Sequence, residues 1–502
     1  MTTPQVGKVG PKPEVQAENA VCASQHPLVT DAMLTVMRDG GTAFDAAIAG
    51  CLVSATVQHD MTNHGGAVTM ICWDARTEQT YELASMGTVV SGLPPFRPVP
   101  MGPGDDPGLS PCALIPGFMP GLKAIHERFG TVPWATLCEP AIHWAQEGHE
   151  VGSFEFMILS RTGDFYLQTP SGRAHFAPDG FLPQVGQRWP KPELAATLTR
   201  LAAEGPDDFI TGHWGREFVR RANELGWPIE LSHMDAVPPR WGPGMRYRFG
   251  ADEVVQQAPP ERQAVMSAIV LGVLGALGVG ELGHPAESGE SLYYTAHALR
   301  RADYETGFLN DPTVFEDPSS YLMSPEFHQT IADVISRSGP KIDLTEHVRL
   351  LAAANRPGRA ADPGPTATVG SCELSLVDQY GNWVQILNTY QGGGIPGEVV
   401  GGVPMVGSTF GTTFSDMLHG WFTGDGRLRS AIGNTLVLRD GKPRLGLGTP
   451  GVPHITVPQL LSSLLHHGLD PRAADDARRM TPLADDYTVA VESGLPEQVV
   501  AD

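Results

Sequence analysis

The sequence predicts an α+β fold, and three observations carry that prediction. Helical patterning fills most of the chain up to about residue 340. Strand patterning takes over after residue 370. Between them, AAANRPGRAADPGPTATVG (352–370) is rich in Ala, Pro and Gly and has little to bury, as a connecting segment would.

The elements follow in order. Residues 1–20 read as a polar, Pro-containing tail. From Pro27 to Val57 the pattern is helical twice over. Thr30 is placed as the first N-cap, and Gly40-Gly41 as its stop. The second helix, FDAAIAGCLVSATVQ, is rich in small residues and is expected to pack on several sides. TNHGGAVTMICWDARTEQTYEL then reads as a hairpin with strands at 67–73 and 80–84, its glycine-flanked start implying close backbone approach. Residues 91–111 are Pro/Gly-rich loop, and 116–150 hold two helices, the second opened by Pro133. An irregular stretch is expected over 152–190, helix over 190–225, extended chain over 245–257 and helices over 263–340. Strands are expected at 372–378, 383–390, 434–439 and 444–448, and a last helix at about 457–467.

At 502 residues the chain can form one large domain or two to three ordinary ones, and no internal repeat divides it. The 34 basic and 56 acidic residues leave a net charge of −22, which argues against nucleic acid or an anionic membrane as partner. Six cysteines lie far apart without a C-x-x-C pair, so neither a zinc knuckle nor a disulfide framework is expected. The N-terminus lacks an apolar signal core, and the longest apolar run (265–280) is short and glycine-laced. The expectation is a cytoplasmic protein with that run as a buried helix.

Familiar signatures are absent or out of context. No G-x-S-x-G nucleophile elbow occurs, and no H-E-x-x-H. GVGELG (278–283) follows an apolar helix rather than a strand, which argues against a dinucleotide site. His466-His467 sits near a helix end and reads as solvated rather than metal-bound. No cofactor and no metal are expected.

What remains is TATVGSCELSLVDQYGNW (366–383). Here Gly370 precedes a hydroxyl and a thiol, Ser371-Cys372, that run straight into a strand. The Ser371 hydroxyl can attack the Gly370 carbonyl in an N-to-O acyl shift, and hydrolysis of the ester then frees Ser371 as a new N-terminus. An α-amine titrates at about 7.7–8.0 and can serve its own hydroxyl as general base. The same residues fit an ordinary strand start, with Cys372 as a rival nucleophile or a small core residue. LGLGTPGVPHIT (445–456) adds a strand that turns at Gly451-Val452 into a helix, where backbone N–H groups could receive an oxyanion.

At this point several ordered blocks resemble the γ-glutamyltranspeptidase family of N-terminal-nucleophile hydrolases. They are ASQHPLVTDAML…TYEL, PGFMPGLKAIHERFGTVPWATLCEPAIHWAQEGHEV, ELSLVDQYGNWV and GNTLVLRDGKPRLGLGTPGVPHIT. The resemblance implies a four-layer αββα sandwich and self-cleavage between Gly370 and Ser371. It implies a large chain part, 21–370, and a small one, 371–502, that stay associated as one domain. The family usually places threonine at the nucleophile, so Ser371 is a departure to another hydroxyl. Thr389 matches the threonine that supports the nucleophile, and Gly451 and Val452 match the oxyanion pair. Substrate contacts fall at Met86, Gln391, Thr413, Ser430 and Ala431. Met86 stands where the family holds an arginine and Thr413 where it holds an acid, with Asp416 nearby. Losing that charge pair points away from γ-glutamyl recognition.

A small-molecule substrate is implied, and association of copies into a homo-oligomer stays open. The chain stops at LPEQVVAD, where the family continues through further strands. Three functions follow as alternatives. The first is a hydrolase or acyltransferase on another acyl group, in specialised antibiotic metabolism and extending to C–C bonds beside a keto group. The second is a true γ-glutamyltransferase or glutathione hydrolase with relocated contacts. The third is an unprocessed homologue that only binds.

Overall fold

The computed structural model describes residues 14–90, 92–93, 96–98, 112–307, 309, 311–312, 316–337, 371–407, 432–449, 452–482 and 488–501. Gly370, Thr413, Asp416, Ser430, Ala431, Gly451 and the segment 352–370 lie outside these residues.

Two antiparallel sheets face each other. The first runs Val21–Ala23, Cys372–Val377, Trp383–Thr389, Ala67–Asp74, Gln79–Ser85, Arg240–Gly242. The second runs Lys442–Leu447, Thr435–Arg439, Asp252–Gln256, Met245–Phe249. Each sheet therefore interleaves strands from before and after residue 370, so neither part of the chain can complete a sheet alone.

Period-two alternation explains the layering. In Ala67–Asp74, Val68, Met70 and Cys72 join the helix-side core, whereas Ile71 and Trp73 meet Val255, Leu436 and Leu438 of the second sheet. On the far side of that second sheet, Val254 and Val437 pack with Leu271, Val457 and Leu461 of the helices Gln263–Ala276 and Pro453–Leu465. Helices thus cover both outer faces, and the four layers are helix, sheet, sheet, helix.

The helix Ala43–Val57 is buried along its whole length and packs against the strands Cys372–Val377 and Trp383–Thr389. Thr42 and Asp45 form its capping box. A Cβ at Gly50 would stand 2.8 Å from Met33 Cγ and 3.1 Å from Leu374 Cδ1, so the small residues permit that close approach.

Several expectations are corrected. His26, not Thr30, caps the first helix, Pro27–Arg38. The His26 side chain accepts from Leu28 N, while the Thr30 hydroxyl pairs with Ser24. The stretch 152–190 is not irregular but contains helices Ser153–Tyr166 and Pro170–Phe176, opened at Gly152 and Thr169. The last predicted helix begins at Pro453, four residues early, because proline suits the first helical turn. His466 is half-buried rather than solvated, hydrogen-bonded to Ser462 and stacked edge-on with Phe249. Among the described residues no helix is long and apolar enough to cross a membrane.

Candidate active site

The strands Cys372–Val377 and Trp383–Thr389 pair in register, with Leu387 opposite Glu373 and Asn388 opposite Cys372. Continued by one pair, that register sets Thr389 opposite Ser371, a spacing at which antiparallel Cβ atoms lie about 4.5–5.5 Å apart. On its other side Thr389 pairs with Ala67, and Ala67 packs against Met86 and Leu114. Ser371, Thr389, Ala67 and Met86 thus lie in one row across the same end of the first sheet, with Met86 three strands from Ser371.

A strand of the second sheet, Lys442–Leu447, runs toward the same level. A Cβ at Gly446 would lie 2.3 Å from Gln385 Nε2, and one at Gly448 would lie 2.3 Å from Glu373 Cδ. Each step along this strand is therefore a step toward the end of the first sheet that carries Ser371. Val452 caps the helix Pro453–Leu465, with its carbonyl accepting from Ile455 N and Thr456 N. A helix N-terminus of this kind aims N–H groups at an anion.

Ser371 and Cys372 separate cleanly. Both are buried, but the pleat turns Cys372 toward the helices, where it hydrogen-bonds Ser54 of Ala43–Val57. Burial pushes its thiol well above the ordinary range, which is the wrong direction for a nucleophile. The Thr389 hydroxyl accepts from Gln391 N at 3.1 Å, which ties Gln391 to the same corner.

The backing of the site is glycine against glycine. A Cβ at Gly66 would stand 1.9 Å from the Thr389 carbonyl oxygen, and one at Gly87 would stand 1.8 Å from that of Gly392. Gly66→Ala is expected to push the Thr389 strand away, by the cost of an overpacked core of about 1–3 kcal/mol or more. The check is thermal unfolding together with intact mass. A variant as stable and as processed as the parent would show that the backbone yields without penalty.

Sequence reasoning missed a buried polar network behind this corner. Lys191 Nζ lies 3.2 Å from His149 Nδ1, and His149 Nε2 lies 2.9 Å from Glu155 Oε1. Lys191 also rests over the Trp189 ring. Burial lowers Lys191 to about 7 and raises Glu155 to about 7, with their mutual attraction opposing both changes. The contributing residues are scattered from 59 to 191, and no local spacing marks them. Lys191→Ala is expected to destabilise by about 3–5 kcal/mol by leaving buried acid uncompensated, whereas Lys191→Met should cost less. Urea unfolding of the two variants would test this, and equal losses would contradict it.

The sequence model of the family described as gamma-glutamyltranspeptidase matches residues 30–502. A curated relative, the glutathione hydrolase proenzyme of Pseudomonas sp. (strain A14), is 26% identical over 504 residues, covering 93% of this chain and 82% of the relative. The glutathione hydrolase proenzyme of Escherichia coli (strain K12) is 24% identical, covering 93% of this chain and 81% of that one. Among solved structures, cephalosporin acylase from Bacillus halodurans superposes with a TM-score of 0.75 at 19% identity, over 100% of this chain and 90% of its own. Helicobacter pylori γ-glutamyltranspeptidase gives 0.59 at 20% identity, over 70% and 100%. These superpositions speak for the fold.

Proposed function

This chain belongs to the gamma-glutamyltranspeptidase family, and we propose that it is a self-processing hydrolase or acyltransferase whose nucleophile is Ser371 and whose acyl donor is not a γ-glutamyl amide. One observation supports the reading most strongly: the strand register, continued by one pair, sets Ser371 opposite Thr389 at the end of the first sheet toward which the strand Lys442–Leu447 runs.

The chemistry runs in two stages. In the first, Ser371 Oγ attacks the Gly370 carbonyl, the Gly370–Ser371 C–N bond breaks to leave an ester and a free Ser371 α-amine, and water then hydrolyses the ester to the Gly370 carboxylate and the Ser371 hydroxyl. The second stage repeats the attack on a donor. The α-amine takes the hydroxyl proton, Oγ bonds to the donor carbonyl carbon, and the turn at Gly451 and Val452 receives the oxyanion. The ammonium then returns its proton to the leaving group, and water or another acceptor releases the acyl group. Thr389, tied to Gln391 N, steadies the serine.

The acyl pocket argues against a zwitterion. Met86 is buried with Ala67 and Leu114, so an apolar wall stands where the resemblance would put an arginine. An ionised α-carboxylate brought there would lose its solvation without gaining a bidentate partner. An uncharged acyl group suits the wall, as on an acylated antibiotic, and a ketone could take the same attack with cleavage of the neighbouring C–C bond.

Intact mass of freshly purified protein tests the first stage. Cleavage at Gly370–Ser371 should give parts of 370 and 132 residues (502 − 370 = 132) that stay associated. Matched p-nitroanilides test the second. Neutral acyl anilides should be hydrolysed and the γ-glutamyl anilide should not. Preference for the γ-glutamyl anilide would establish a true γ-glutamyltransferase instead, and a chain that never cuts would leave only a binding role.

A further inference from the structure

Glu373 takes no part in the steps above, yet it occupies the space just beneath them. Strand alternation puts its side chain on the face of Ser371, two residues further in. It reaches across the gap to the second sheet, and only the absence of a side chain at Gly448 makes room for its carboxyl. The acid thus stands between the strand Cys372–Val377 and the end of the second sheet at Gly448. Neither carboxyl oxygen has a hydrogen-bond partner among the described residues. A buried polar group left that way calls for an explanation.

Among the described residues the surroundings supply no counter-charge. From the first sheet, Leu387 lies across from Glu373, with Thr69 and Gln385 as its polar neighbours. From the second sheet come Gly448 and Asn434, whose amide nitrogen is engaged with the Thr69 carbonyl. The nearby thiols, Cys372 and Cys51 of Ala43–Val57, are themselves held protonated by burial. Asp252 with Arg439 and Arg444 sits at the opposite, hairpin end of the second sheet. His454 heads the helix beyond the turn. Burial accordingly pushes the Glu373 carboxyl well above the usual range.

Before cleavage the nitrogen of residue 371 is an uncharged amide. Afterwards it is an amine that can carry a proton, about 7 Å from Glu373 along the strand. Building on the self-cleavage reading, we propose that Glu373 is a positioning residue engaged only by maturation, its carboxyl becoming the counter-charge of the Ser371 α-ammonium. The exchange balances: one proton leaves the carboxyl and one is held on the amine. The pair then favours the ammonium each time the amine takes the serine proton, which is when the transition state needs it.

Competitive labelling of the Ser371 α-amine with acetic anhydride across neutral and alkaline pH reads this without any substrate. At an effective dielectric of ~20 and a separation of about 7 Å, losing the carboxylate should lower the labelling midpoint by about 1.7 pH units in Glu373→Gln. Glu373→Asp, which keeps the charge, should stay near the parent. A cleaved Glu373→Gln chain with an unmoved midpoint overturns the proposal. So does a Gln variant that stays whole while the parent cuts, because Glu373 would then act before the amine exists. An uncut parent, with no α-amine at residue 371 to label, sinks the self-cleavage reading itself and is told apart by intact mass.

Discussion

Ser371→Ala is expected to remain a single full-length chain and to lose turnover by about 10³-fold or more, the order seen when an activated nucleophile is removed. The expectation rests on one residue supplying both hydroxyl and base, so that no neighbouring side chain can stand in. Thr389 lies across the strand pair, but its α-nitrogen is locked in the backbone and its hydroxyl accepts from Gln391 N. Cys372 faces the helices with its thiol held protonated. Ser371→Thr keeps the hydroxyl and should still cut, more slowly if the added methyl crowds this buried corner. Intact mass and release of p-nitroaniline check both variants. Cleavage persisting in Ser371→Ala would move the nucleophile elsewhere and dismantle the mechanism.

The same variant separates structure from chemistry. Because each sheet takes strands from both sides of residue 370, Ser371→Ala should fold normally as the uncut chain. It also isolates the titration of Glu373 before any amine appears. An acid whose folded pKa is raised keeps its proton while the unfolded chain has already released it. The unfolded state then binds fewer protons, and stability falls as pH climbs above the ordinary glutamate range. Adding Glu373→Gln should flatten that fall, which thermal unfolding against pH would show.

The sequence disclosed the strands around the site because their alternation is regular and their turns carry Gly, Asn and Asp. It singled out Ser371 as the candidate nucleophile through the glycine before it and the strand after it. The register that sets Thr389 opposite Ser371 could be anticipated from the short hairpin at Asp378 to Asn382, since hairpin length fixes pairing. Other features were closed to it. Nothing in the local sequence singles out Glu373, and only the packing of the second sheet at Gly448 shows that its face is inward. His26 lies outside the usual capping residues, so the sequence pointed to Thr30 instead. Lys191 looks like a surface lysine until helices from separate parts of the chain close over it.

The second large effect is expected at the far end of the strand Cys372–Val377. Asp378 is buried and accepts four hydrogen bonds. Oδ1 receives Tyr380 N and Asn382 N at 2.9 Å each, and Oδ2 receives Ala43 N at 2.7 Å and Asn382 Nδ2 at 2.9 Å. One carboxylate thus closes the hairpin and satisfies the first N–H of the helix Ala43–Val57, where the helix dipole favours negative charge. Asn382 continues the tie by accepting from Ala75 N. Asp378→Ala strands those donors and should cost about 3–5 kcal/mol, several times an exposed hydrogen bond. Asp378→Asn keeps one acceptor but turns an N–H₂ toward donors, so it should fall between alanine and the parent. Urea unfolding in the Ser371→Ala background keeps the chain in one piece for the comparison. Because the helix N-terminus and the strand Cys372–Val377 share this anchor, loosening it should also slow self-cleavage at the strand's other end. If Asp378→Ala were as stable as its parent but cut slowly, the anchor would be serving the site alone. If it were destabilised yet cut at the normal rate, the geometry at Ser371 would owe nothing to it, and the cross-strand pair with Thr389 would have to hold the serine unaided.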